Sequence, residues 1–176
     1  RGLLFVGTRK LLSQQNIFEM ARIETCFDNS NVTYKRYEDI VKHTNKENTV
    51  IVNYNMNPYN LPDAKYPNFI SLVLRYVDKL DLMRYLNFSD STEFRFVLNN
   101  LTSSIEKLGV EFKYSDNNML KRYEIQVQTG ENQIRIPLKE MRSKALGEIS
   151  EICFVVRPED VIEKEGSFQI GKIFVN

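Results

Sequence analysis

The sequence has no tryptophan, one histidine and two cysteines in 176 residues. Two cysteines, Cys26 and Cys153, are too few for a disulfide scaffold or a cysteine zinc site. The single histidine, His43, excludes multi-histidine metal sites and leaves a His-based catalytic triad one candidate. Seven glycines are scattered, and none falls in a phosphate-cradling spacing; no Gly-x-Ser-x-Gly phrase occurs either. Long apolar runs are missing as well. The opening Leu3–Val6 is far short of the ~20 residues that a membrane-spanning helix needs. Charge of one sign is absent: 24 Lys+Arg oppose 23 Asp+Glu, a net charge of +1. A nucleic-acid binder usually carries a strongly basic balance or stripe, so that class is not expected.

What is present is average globular composition, with 42% hydrophobic and 27% charged residues, enough for one domain with a real core. The dominant period is two. In 93–98, Phe94, Phe96 and Leu98 share one face. In 108–114, Leu108, Val110, Phe112 and Tyr114 point inward while Glu111 and Lys113 point out. Asp116-Asn117-Asn118 supplies turn residues before 123–128 alternates again, which predicts an antiparallel hairpin. In 134–138, Pro137 belongs at a strand end or edge because it cannot donate to a ladder.

The last third is similar. The run 149–156 is dense enough for a central strand, and Arg157-Pro158-Glu159-Asp160 breaks it. In the closing strand Gly171 shifts the phase, so Phe168, Ile170, Ile173 and Val175 share a face, which predicts a bulge. Further strands are expected at 49–54 and 69–77. The region 16–27 is ambiguous between helix and strand, and short helical turns are expected at 79–86, 102–107 and 139–144. Residues 41–46 read as a polar loop with His43 on the surface. Eight or more short strands predict an all-β antiparallel sandwich, not a parallel α/β sheet, which would need longer helical patterns between strands.

The order of phrases resembles that of the galactose-binding-like jelly rolls that serve as carbohydrate-binding modules. The residues that carry the likeness are Phe18-Glu19, the strand 49–54, and Asp81-Leu82-Met83-Arg84-Tyr85. They continue through Phe94–Leu98, the 108–127 hairpin, Ile136-Pro137-Leu138, the strand 152–156 and the closing Gly166–Ile173. The likeness covers about 16–176, after a lead-in at 1–15, and Arg1-Gly2 reads as a cut inside a longer protein. It implies a jelly-roll sandwich that binds glycan without catalysis, outside the cell or on its surface. It also implies an early acidic calcium ligand, here Glu19. The closing strand has Lys172 where the family has an acid, and an ammonium cannot coordinate a divalent cation, which speaks against structural calcium.

Sugars present apolar ring faces beside hydroxyls, and a tyrosine offers an apolar body with a polar tip. Nine tyrosines stand in for the missing tryptophan. The stretch 53–60 mixes Tyr54 and Tyr59 with Asn53, Asn55, Asn57 and Asn60, and Arg75-Tyr76 adds a guanidinium. Tyr54, Tyr59 and Tyr76, facing solvent beside Arg75 and Asn55, are the expected ligand residues. Tyr114 and Tyr123 are expected in the core. Glu93, Glu111 and Glu124 fall on outward positions that normally form a solvated face. Cys153 sits where a thiol is inert packing. Three Asn-x-Ser/Thr phrases begin at Asn31, Asn87 and Asn100, and they bear on function only in a secretory setting. The competing reading is a structural or protein-interaction sandwich with no sugar site.

Overall fold

The computed structural model describes residues 17, 20–28, 40–46, 49–56, 69–84, 90–114, 118–141 and 144–175. Alternation becomes sheet most plainly at β5 (Glu93–Asn100). Phe94, Phe96, Leu98 and Asn100 are buried, and Glu93, Arg95, Val97 and Asn99 between them are half-buried on the other face. The other strands are β1 (Arg22–Asp28), β2 (Val41–Lys46), β3 (Thr49–Asn55), β4 (Phe69–Leu80), β6 (Lys107–Tyr114), β7 (Asn118–Gln126), β8 (Gly130–Pro137), β9 (Ile149–Val156) and β10 (Glu165–Val175). Short 3₁₀ turns lie at Leu82–Arg84, Lys139–Met141, Lys144–Glu148 and Pro158–Asp160.

The strands form two five-stranded sheets, ordered β1-β4-β9-β6-β7 and β2-β3-β10-β5-β8. Every strand pairing is antiparallel, so the sequence's period of two gives each sheet one buried and one outer face. The inner faces meet in one hydrophobic core. Phenylalanines from both sheets interlock there edge-to-face: Phe94 on Phe112 at 5.1 Å and 83°, and Phe96 on Phe154 at 5.1 Å and 71°. Phe112 in turn meets Tyr123 at 6.3 Å. β9, with six consecutive buried residues at its end, is the central strand of its sheet, as its composition predicts.

The bulge is where the phase shift puts it. Gly171 opposes Val97 and Phe174 opposes Arg95, so β10 carries one residue more than β5 across that step. Lys172 takes up the irregularity with φ 50, an uncommon conformation for a residue with a side chain. Ile173 and Val175 thereby stay in the core. Pro137 ends the edge strand β8.

Several expectations are corrected and one open alternative is resolved. Residues 41–46 are strand β2, not a loop, and half-buried His43 hydrogen-bonds across to Thr25 of β1 at 3.2 Å. The region 16–27 resolves as strand over Arg22–Asp28, and 102–107 has no helical turn. The alternation of 123–128 and 134–138 predicts Ile125, Val127 and Ile134 in the core; they are only partly buried, because β7, which Val127 follows directly, and β8 are the outermost strands of their sheets and lack a neighbour on one side. Tyr114 is half-buried for its part, at the end of β6.

Candidate functional site

The two outer faces differ in chemistry. On the first sheet an unbroken chain of ion pairs runs across all five strands. It links Arg22 to Glu24 (3.0 Å), Glu24 to Arg75 (3.2 Å), and Arg75 to Glu151. It continues from Glu151 to Lys113 (3.8 Å), Lys113 to Glu111 (3.8 Å), Glu111 to Arg122 (2.6 Å) and Arg122 to Glu124 (3.7 Å). Positive and negative groups alternate along it. Glu111 is 8% and Glu151 4% exposed, so the expectation of a solvated Glu111 is corrected. Its carboxylate is paired with the Arg122 guanidinium and the Lys113 ammonium, which satisfy the charge that burial would otherwise penalise. Glu124 is exposed as expected. Beside the chain a small apolar cluster of Val73, Cys153 and Val155 is buried. Burial there pushes the Cys153 thiol up to about 12, so it stays protonated and inert. Both cysteines are free; Cys26 is half-buried, its sulfur 2.8 Å from the Ser71 hydroxyl.

On the second sheet the outer face carries amides and hydroxyls in register. One cross-strand row reads Thr44, Ile51, Gln169, Asn99 and Glu131, one residue from each strand. The adjacent row holds Lys42, Asn53 and Ser167. Directly opposed residues bring their Cβ atoms to about 5 Å, so Gln169, Asn99 and Glu131 form one polar line, set apart from Thr44 by Ile51, and Lys42, Asn53 and Ser167 form a second. Among the described residues the side-chain amides of Asn53, Asn99 and Gln169 have no protein hydrogen-bond partner.

At the β2–β3–β10 end this face deepens into a cavity of about 580 Å³. Lys42, Asn53, Asn55, Glu165 and Ser167 line it, together with exposed Thr102 and buried Tyr54. Three hydroxyls connect at its wall. Tyr54 donates to Ser104 Oγ at 2.7 Å and to the Glu163 carbonyl at 3.2 Å, and Ser104 Oγ lies 2.7 Å from Thr102 Oγ1. Thr102 Oγ1 accepts from the Ser167 amide at 2.9 Å. Gly166 is required by this approach: a Cβ there would collide with the Ser104 hydroxyl and come 2.7 Å from Thr102 Oγ1. Burial raises the Tyr54 phenol above its ordinary value, the Ser104 hydrogen bond pulls it back, and Glu163 adds to the rise.

The structure brings Tyr54 and Asn55 together at this cavity and sets Arg75 and Tyr76 apart on β4 of the other sheet. The expectation of solvent-facing tyrosine rings is corrected. Tyr54 and Tyr76 are 3% and 4% exposed, because both occupy inward positions of their strands, in phase with Val50 and Val52 or with Leu72 and Leu74. Arg75 faces outward, into the ion-pair chain. Burial works against its charge, and Glu151 and Glu24 more than offset it, holding the guanidinium above its ordinary value. Tyr59 and Glu19, with Asn57 and Asn60, lie outside the described residues. Asn53 lines the cavity from the stretch that the sequence marks, whereas Lys42, Ser167, Gln169 and Asn99 were not singled out by sequence reasoning. The signal that could have found them is the outward phase of β3, β5 and β10, where polar residues alternate with the core.

No family model matches the chain, and no curated protein matches it in sequence. Solved structures do match in fold. The glycoside hydrolase domain of Endo-D from Streptococcus pneumoniae R6 superimposes with a TM-score of 0.56 and 12% identity, over 88% of this chain and 22% of that one. An agarase does so with 0.56 and 12%, over 87% and 24%. This chain thus spans about a quarter of those hydrolase chains. The family 30 carbohydrate-binding module of a cellulosomal cellulase from Clostridium thermocellum matches with a TM-score of 0.52 and 11% identity, over 89% of this chain and 91% of that one. The fold is therefore a β-sandwich of the kind seen in carbohydrate-binding modules.

Proposed function

We propose that the chain is a non-catalytic carbohydrate-binding module of a larger extracellular or cell-surface protein. Its glycan would lie on the outer face of β2-β3-β10-β5-β8, with one end in the cavity. The observation that carries this reading is the in-register polar row, whose Asn99 and Gln169 amides are not engaged by the protein. Amide groups offer a donor pair and an acceptor each, which is what sugar hydroxyls need. Asn53, Lys42 and Glu165 extend the same chemistry to the cavity, and Asn55 stands at its rim. The fold likeness supports the reading from a separate direction. A hydrolase would need two carboxyls about 5–10 Å apart across a cleft. Among the described residues Glu165 is the one carboxylate lining the cavity, while Glu111 and Glu151 are held in ion pairs on the other sheet.

The burial of Tyr54 and Tyr76 favours a second reading, a structural or protein-interaction sandwich, because it removes the tyrosine platform. Affinity electrophoresis through gels containing glycan polymers separates the two. The module reading expects retardation in at least one gel and its loss in Asn99→Ala/Gln169→Ala, with the melting temperature kept. A domain that runs unretarded through a broad panel of glycans is an interaction or spacer domain.

No helix among the described residues is long and apolar enough to cross a membrane. No group of three or more metal-ligating side chains occurs among the described residues.

A further inference from the structure

We propose that the glycan taken by this face is acidic, and that Phe174 and Arg135 are the residues that recognise it. The proposal rests on the carbohydrate-binding reading and names the ligand class of that same face. The row at the β5–β8–β10 end reads Phe174, Arg95, Arg135, one residue from each strand, all on the outer face. Two arginines directly opposite one another on neighbouring strands repel, a placement a sheet ordinarily avoids. Arg95 is neutralised by Glu93, which accepts from its Nε at 2.9 Å and pairs with its Nη2 at 2.7 Å. Arg135 is exposed and has no ion pair or hydrogen bond among the described residues. A guanidinium presents a planar fork suited to a carboxylate or sulfate.

Beside it stands an aromatic ring in solvent. Phe174 is 39% exposed, although the same strand buries Phe168 completely in the core. The bulge puts it there. With regular alternation from Gly171, residue 174 would point inward; the extra residue at Lys172, with its φ of 50, returns Phe174 to the outer face. Gly171, one rung away, has no side chain, and its partner Val97 adds a small apolar surface there. Gln133, opposite Val97, continues the polar line toward Asn99 and Gln169. An acidic oligosaccharide can set the apolar face of one ring on Phe174, place that ring's anionic substituent at Arg135, and give a neighbouring ring's hydroxyls to the Asn99 and Gln169 amides, about 13 Å along the strands. An acidic peptide would answer the charge as well; the hydroxyl-rich ligand is favoured because the unengaged amides of Asn99 and Gln169, two rungs away on the same face, belong to the surface on which the proposed function places the glycan.

The test uses the intact chain and isothermal titration with three probes: polygalacturonate oligomers for the carboxylate, sulfated galactan oligomers for the sulfate, and neutral galactan oligomers. At least one anionic probe should bind about tenfold more tightly than the neutral one, the effect of one charge-assisted contact. Arg135→Gln should lose that preference, and Arg135→Lys should recover only part of it, because an ammonium cannot form the paired contact. Phe174→Ala should weaken all binding, charged or neutral. Lys121→Gln, which removes an exposed cation on β7 of the other sheet, should leave affinity unchanged. Equal affinity for charged and neutral probes, no effect of Arg135→Gln, or an equal loss in Lys121→Gln overturns the proposal while leaving the carbohydrate-binding reading in place. Absence of binding to all three probes and to the wider glycan panel overturns both. Which anionic probe binds distinguishes carboxylate from sulfate.

Discussion

The two outer faces of this sandwich are built on the same alternation, yet they end in opposite states. On β1-β4-β9-β6-β7 eight outward charges are tied into one chain of alternating sign, beside the apolar cluster of Val73, Cys153 and Val155. On β2-β3-β10-β5-β8 the outward residues are mostly amides, hydroxyls and separated charges, and several have no partner within the protein. A face whose charges satisfy one another offers little to a ligand, since binding would have to displace ion pairs that already exist. A face with unpaired amides gains contacts when a polyhydroxyl ligand arrives. The difference teaches that residue polarity alone does not mark a site; what marks it is polarity that the fold leaves unsatisfied.

The sharpest way to break the comparison is to remove one member from each face. Glu151 is 4% exposed and stands between Arg75 and Lys113. Glu151→Gln leaves both cations facing a neutral group, and the expected loss is about 3 kcal/mol. That is the low end of the range for a broken buried pair, because Arg75 is itself partly solvated. Gln169→Ala on the other sheet should change stability by no more than about 0.5 kcal/mol. Urea denaturation of the two variants checks both values. If Gln169→Ala proves as costly as Glu151→Gln, the second face is structural and the contrast collapses.

The next effect tests the wall of the cavity. Gly166→Ala forces a methyl group against Ser104 and Thr102. Overpacking of this kind costs about 1–3 kcal/mol. The melting temperature should fall, and glycan retention should fall with it, because Ser167 and Asn53 sit on the backbone that must shift. Gly130→Ala is the contrasting variant. It has φ 78 and open space around it, so any loss there is backbone strain with the cavity left intact.

Much of this architecture was legible in the sequence. The period of two in 93–98 and 108–114 placed the core phenylalanines, and the phase shift at Gly171 placed the bulge. Strand β2 was not legible, because Lys42, Thr44, Asn45 and Lys46 are exposed and only Val41 is buried. An outermost strand whose outward side is wet loses the apolar half of its alternation. The site was legible only in part. The Asn and Tyr of 53–55 do meet at the cavity, but polar company alone cannot tell which residues point in. Phase can: Tyr54 alternates with Val50 and Val52 and is therefore buried, while Asn53 and Asn55 are not. Glu111 failed for a different reason. Its outward phase was read correctly, but its burial depends on Arg122 and Lys113, which tertiary packing brings together.

A smaller effect follows for Tyr54. Its hydroxyl holds Ser104 and, through Ser104, the Thr102 side chain that receives the Ser167 amide. Tyr54→Phe keeps the ring in the core and removes one hydrogen bond, so stability should fall by about 1 kcal/mol. If the hydroxyl serves only this support, glycan affinity should fall little. A large loss of affinity with unchanged stability would make Tyr54 a direct ligand contact at the wall of the cavity.

The smallest effect is one of pH, and it tests where the two sheets meet at β1 and β2. Burial lowers the His43 pKa below its ordinary 6.5, so the folded state disfavours the charged imidazole. The unfolded chain therefore takes up the proton first as pH falls. The stability contributed by neutral His43 is fully present above 6.5 and is lost as pH drops through 6.5 toward the lower folded value. The change is small because the imidazole is only partly buried and remains screened by water. Thr25, which lies 3.2 Å from Nδ1, can donate to a neutral ring but not to a protonated one, which has hydrogens on both nitrogens. His43→Gln keeps a polar side chain at this position and cannot titrate. Melting temperatures measured from pH 7.5 to 5 should fall slightly more steeply for the parent than for the variant. Parallel curves would mean that the β1–β2 edge does not sense the charge of His43.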